Sequence, residues 1–137
     1  MTGQKDLSWM IGEMSGVPGV RHVVVLSADG LLITCSPNTG RDDAERLAAF
    51  CASLHSIASS VAKAHGEHQD GRAPFVRQQM VEFQGGFLFV QLAGDNSRLA
   101  VVTEPRIDPA RVGQEMALQV RRIREGLSVA ARGTAPE

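Results

Sequence analysis

The sequence predicts an α/β (α+β) domain with a mainly antiparallel five-stranded sheet and helices on both faces. Three observations predict it. Asp29-Gly30 sits between two apolar runs, Val20 to Leu26 and Leu31 to Cys35, which is a strong local hairpin signal. A long helical segment from Asp42 or Asp43 to about His65 separates that hairpin from three further strand-like runs. Two of those runs, Phe87 to Leu92 and Arg98 to Thr103, are almost wholly apolar, as strands covered on both faces are.

The elements follow in order. Asp6 can cap a short first helix whose Leu7, Met10, Ile11 and Met14 share one face and which ends at Gly16 or Val17. Pro18 disfavours helix at Val17, so the chain then enters the hairpin. Gly30 can take positive φ without steric cost, and Asp29 tolerates the same region. Residues 36–41 form a loop. Asp42 or Asp43 starts the long helix, and Glu45 also suits its positive end. Leu47, Phe50, Cys51, Leu54, Ile57, Ala58 and Val61 form a stripe that fits a core face. Gly66 ends the helix, and the polar residues 66–74 read as a mobile loop.

Phe75 to Phe83 mixes polar with apolar residues, as an exposed edge strand does. Gly85-Gly86 and the residues from Gly94 to Ser97 turn the chain between the last three strands. Asp108-Pro109 gives an N-cap followed by proline at the first helical position. Val112, Met116, Val120, Ile123 and Leu127 then form the stripe of the last helix. One domain over residues 6–128 follows, with disordered ends at 1–5 and 129–137.

Composition narrows the function. A net charge of -1 argues against a general affinity for nucleic acid, and aromatic residues at 4% give poor support to base-stacking surfaces. The two cysteines, Cys35 and Cys51, lie in apolar patterns and read as buried free thiols. No run reaches the ~20 apolar residues of a membrane span, and the N-terminus lacks the apolar core of a signal peptide. The expectation is a cytoplasmic protein, with recruitment to the inner membrane face through a partner compatible with it.

No motif carries catalysis. His65-Gly66-Glu67-His68 straddles a helix-ending glycine and lacks a third ligand on a rigid element, so no metal site is assigned. Ser53, Ser56, Ser59 and Ser60 have no adjacent base on a strained turn. The glycine pairs precede strands rather than helices, and neither phosphate-cradling motif occurs, so no nucleotide cofactor is assigned. Arg121, Arg122 and Arg124 form a basic cluster on the last helix, read as solvated or as contacting an acidic partner or membrane surface.

One surface suggests binding. Ala48, Ala52, His55, Ser59 and Ala62 form a small-residue stripe beside the core stripe, where another helix could come close. Glu45, Arg46, Ala49, Ser53 and Ser56 continue it on the polar back. The first set is read as a dimer interface and the second as a partner-binding face.

Taken in order, these motifs resemble the roadblock/dynein light-chain family, and bacterial, specifically actinobacterial, members of it. The resemblance rests on Val17-Pro18-Gly19-Val20, the valine strand with Asp29-Gly30, and Asp42 to Ala49. It continues through Leu54 to Ala58, Gly85 to Val90 and Glu115 to Leu118. It implies a profilin-like three-layer sandwich, with the long helix on one face of the sheet and the two terminal helices on the other. It also implies a homodimer in which the third strand, with Arg77, Gln79 and Val81, pairs with its two-fold mate and the long helices lie side by side. The implied function is non-enzymatic regulation or scaffolding of a small Ras-like GTPase. Stimulated GTP hydrolysis and a sensor histidine kinase complex at the membrane belong to the same implication, with no small-molecule substrate. The alternative is a ligand-sensing profilin-like or PAS-like module, for which His22, Thr34 and Gln91 are the polar pocket candidates.

Overall fold

The computed structural model describes residues 6–94 and 96–133, with side chains described as far as residue 128. Strand β1 (Val20–Ser27) turns into β2 (Leu32–Cys35), and helix α1 (Arg41–His65) carries the chain to β3 (Gln78–Phe83). Strands β4 (Gly86–Leu92) and β5 (Ser97–Thr103) follow, then helix α2 (Pro109–Gly133). The sheet order is β2-β1-β5-β4-β3, and every neighbouring pair is antiparallel. Helix α1 therefore takes the chain from one edge of the sheet to the other, and β5 returns to pair with β1 in the interior.

Alternation along the central strands builds two cores. Val23, Val25, Phe87, Phe89, Leu99 and Val101 face α2 and the N-terminal segment. Val24, Leu26, Val90 and Ala100 face α1. The sheet thus lies between two helical layers, and the five-stranded antiparallel, three-layer arrangement is the one the sequence predicts.

The hairpin turn closes as its residues demand. Gly30 has φ +83° and its N–H donates to the Ser27 carbonyl at 3.0 Å. Loop 36–40 is pinned to β1. The Val23 N–H donates to Ser36 Oγ at 3.0 Å, and Asn38 Nδ2 donates to the Arg21 carbonyl at 2.8 Å. In α2, Asp108 Oδ1 accepts from the Ala110 N–H at 3.0 Å, as predicted, and Val112, Met116, Val120 and Ile123 are buried. Leu127 is more exposed than its place in the stripe predicts.

Several expectations need correction. The first helix is two 3-10 turns, Ser8–Met10 and Met14–Gly16. Gly12 between them has φ +56°, and the Gln119 side chain occupies the space its Cβ would need. An α-helix cannot continue through that residue, although Met10, Ile11 and Met14 are still buried. Helix α1 starts at Arg41 with Gly40 at its N-cap, and no side chain caps it; Asp42 and Asp43 lie in its first turn instead. Strand β3 begins at Gln78, three residues later than Phe75. The loop 66–74 holds a tight turn in which Gln69 and Arg72 exchange backbone hydrogen bonds across Asp70-Gly71. Of the tail expected from residue 129, residues 129–133 continue α2, and 134–137 lie outside the described residues.

Candidate partner-binding surface

Helix α1 has two stripes, and the structure keeps Leu47 and Cys51 of the expected core stripe against the sheet but turns three of its large residues outward. At 1.5 Å per residue its 25 residues span about 37 Å, against about 19 Å across five strands. Its fully buried residues are Ala44, Ala48 and Cys51, all in the first half and all of small volume. Small side chains let the helix lie close over Val24, Leu26 and Ala100. Ala52, His55, Ser59 and Ala62 are half-buried on the same side. Of the small-residue stripe expected at a dimer interface, Ala48 therefore packs on the chain's own sheet, Ala52 lies against the Gly30 turn and His55 meets Arg98 of β5.

Three large residues assigned to the core point outward. Phe50 is 60% exposed, Ile57 67% and Val61 57%. At 100° per residue they centre about 130° away from the buried stripe. Leu54, between them, is half-buried, and so are Leu47 and Ala58 towards the sheet. By length and composition α1 is apolar enough to cross a membrane, and this uncovered stripe contributes much of that character. Clustered apolar exposure of this kind on a folded domain marks an interaction surface.

The edge strand adds to it. Gln79 Nε2 donates to the Leu54 carbonyl at 3.3 Å, which ties β3 to the middle of α1. By two-residue alternation Val81 and Phe83 lie on the same face as Gln79, and both are exposed. Strand β3 ends the sheet order and pairs with β4 alone among the described residues, so its outer backbone groups are open to another strand. Arg77 precedes the strand; its side chain is exposed and its carbonyl accepts from the Leu92 N–H at 2.8 Å.

The polar back is exposed as expected. Glu45, Arg46, Ala49, Ser53 and Ser56 are all solvent-facing. Arg41 pairs with Glu45 at 3.4 Å and Arg46 with Asp43 at 3.5 Å, both on the helix surface. Exposed pairs of this kind contribute little to stability and leave the charges available to a partner.

Sequence reasoning passed over one charged residue. Arg98 is the second residue of β5, yet it is only 8% exposed. Its Nη2 donates to His55 Nε2 at 2.8 Å, which puts the neutral imidazole's proton on Nδ1. Ser59 Oγ lies 3.2 Å from the same nitrogen. Burial, and then the Arg98 charge, hold the His55 imidazole below its ordinary pKa range. The available signal was a lone charge at the head of an apolar strand, opposite a histidine on the helix covering that strand.

The polar groups proposed for a sensing pocket do not converge. His22 Nδ1 bonds Thr39 Oγ1 at 2.9 Å, and Gln91 Nε2 donates to the Gly113 carbonyl of α2 at 3.4 Å. Thr34 and Gln91 line different clefts. Among the described residues no group of three His, Cys, Asp or Glu side chains could hold a metal ion.

Comparison with known proteins agrees with this architecture. Residues 9–103 match the model of the Roadblock/LC7 domain. A Roadblock/LC7 domain from Streptomyces avermitilis is 34% identical with a TM-score of 0.80, covering 90% of this chain and 99% of that one. Myxococcus xanthus MglB shares the fold at 16% identity and TM-score 0.77, covering 92% of this chain and 99% of that one. Acanthamoeba castellanii profilin IB does so at 13% identity and TM-score 0.58, covering 85% and 94%. No match was found among curated proteins. With the matched region running from the first 3-10 turn to the end of β5, the chain belongs to the Roadblock/LC7 domain family.

Proposed function

We propose that this chain is a non-enzymatic regulator or scaffold that homodimerises and docks a small Ras-like GTPase. The observation that carries the reading is the exposed Phe50, Ile57 and Val61 stripe beside the open β3 edge. The family reading supports it, as does the fold shared with MglB. In this reading the apolar stripe and β3 meet a second copy. The polar flank with Glu45, Arg46, Ala49, Ser53 and Ser56 is left to the GTPase. A cytoplasmic setting, with recruitment to the inner membrane face through a sensor kinase complex, is part of the same proposal.

The test mixes the purified chain with small Ras-like GTPases from the same genome, each loaded with GDP or a GTP analogue. Co-elution in one nucleotide state supports the reading, and absence of binding in both states overturns it. Phosphate release from GTP then separates the two modes: acceleration marks an activator of hydrolysis, and an unchanged rate marks a scaffold.

A further inference from the structure

A second site lies on the half-buried side of α1, away from its outward apolar stripe. The second half of that helix, the segment at residues 74–76 and the start of β5 enclose a cleft of about 460 Å³. Arg98 forms its buried wall. Arginine carries five N–H donors. Nη2 is given to His55, but the buried Nη1 has no acceptor among the described residues. A buried cationic donor without a partner is costly, so it marks a place where an acceptor is missing.

The rest of the lining has one sign. Lys63 stands one helical turn beyond Ser59. Arg124 reaches in from α2, anchored through its Nε to the Ala93 carbonyl at 3.0 Å. Among the described residues the lining holds no Asp or Glu. An adjoining cleft shares Arg124, adds Arg77 and Arg121, and also has no acid among its described lining residues. Five cations along two adjoining clefts are a local excess in a chain whose net charge is -1. Phe75 and Leu92 line both clefts and give them an apolar wall.

We propose that this cleft binds a small organic phosphate, with the Arg98 guanidinium as the central cation in its wall, Lys63 and Arg124 as flanking cations, and Phe75 and Leu92 against the organic part. Three cations favour a dianionic group over a single carboxylate. His55 stays neutral, because its Nε2 accepts from Arg98 and so holds the guanidinium in place. The site is separate from the exposed apolar stripe, and phosphate binding to the chain alone is read without any GTPase. Failure of one reading therefore leaves the other standing.

The test is calorimetric titration of the full chain with inorganic phosphate, phenyl phosphate and acetate at constant ionic strength, with amide NMR shifts to locate the site. The expected result is one saturable site, with phosphate-induced shifts at Ser59, Lys63 and Arg98. Phenyl phosphate is expected to bind about threefold or more tighter than phosphate, and acetate much more weakly. Arg98→Gln is expected to weaken binding about tenfold or more, and the surface change Lys63→Gln about threefold without altering Tm. No saturation below about 10 mM, or equal affinity in wild type and Lys63→Gln with shifts elsewhere, would overturn it. Asp95 lies outside the described residues and is the acid nearest to Arg98 in sequence. Binding that appears only in Asp95→Asn would identify that carboxylate as the Arg98 partner and would also overturn the proposal.

Discussion

A Cβ added at Gly30 would lie 2.8 Å from the Ala52 Cβ, so the first hairpin turn and the middle of α1 fit only because both residues are this small. Gly30 also holds φ +83°, which side chains rarely adopt. Gly30→Ala is therefore expected to cost about 1–3 kcal/mol through backbone strain and displacement of α1. Urea unfolding followed by circular dichroism measures it. A variant as stable as wild type would show that the hairpin and helix are less closely seated. Ala52→Arg acts on the same contact, so it disrupts the subunit's own packing before it tests any dimer.

A cleaner probe of the interface is Ile57→Glu. Ile57 is the most exposed member of the outward stripe, so removing its apolar surface leaves the subunit core intact. Its effect on the isolated subunit is expected to stay within about 0.5 kcal/mol. In a dimer sealed by this face, a glutamate opposite an apolar partner surface is disfavoured by desolvation. Light scattering after size exclusion is expected to show a wild-type dimer and a variant monomer at micromolar concentration. A monomeric wild type would remove the dimer from the proposal.

The strands were legible because their code is local. Asp29-Gly30, the valine run and the apolar phases of β4 and β5 each act through near neighbours, and no distant contact overrides them. The faces of α1 were not legible by the same reasoning. Phe50, Leu54, Ile57 and Val61 repeat at helical spacing, and a hydrophobic stripe alone does not say whether it meets the chain's own sheet or another molecule. The deciding fact is long-range: the sheet takes Ala44, Ala48 and Cys51, whose small volume lets the helix come close. The 3-10 turns were hidden for a similar reason. Gly12 sits in a regular apolar pattern, and only the position of Gln119, 107 residues later in the chain, fills the space an ordinary side chain would use. Arg98 was hidden because one charge at a strand end reads as solvent-facing until the helix above it is placed.

Gln119 gives the third prediction. It is buried in α2, and its Nε2 donates to the carbonyls of Trp9 at 3.0 Å and Met10 at 2.8 Å. Two carbonyls at the end of the first 3-10 turn thus depend on one side chain from the last helix. Gln119→Ala removes both donors and leaves a cavity beside Gly12. The loss is expected to be about 2 kcal/mol or more. Because the N-terminal segment is held by this link, amide hydrogen exchange at residues 10–14 is expected to speed up more than exchange in β1 and β5. Equal acceleration everywhere would mean that Gln119 supports the fold globally rather than this seam.

Cys51 supplies a pH dependence whose sign can be worked out. Its thiol lies in the core under α1, and burial pushes its pKa up from 9.0 to about 11. The unfolded chain therefore releases this proton at lower pH than the folded one. The stabilisation is fully present below the unfolded thiol's value of 9.0 and is lost as pH rises towards 11. Few other groups obscure this range, since the chain has no tyrosine and its lysines are Lys5 and Lys63. In a Cys35→Ser background, stability by urea unfolding is expected to fall between pH 9.0 and about 11, and Cys51→Ala is expected to flatten that slope while lowering stability at neutral pH. Thiol-reactive dye at pH 8 is expected to label Cys51 only as fast as the protein opens, because both access and the thiolate are suppressed in the fold. Rapid labelling of the folded chain would show α1 lifting from the sheet on its own, which would make the whole helix, rather than its outer stripe, the mobile partner-binding element.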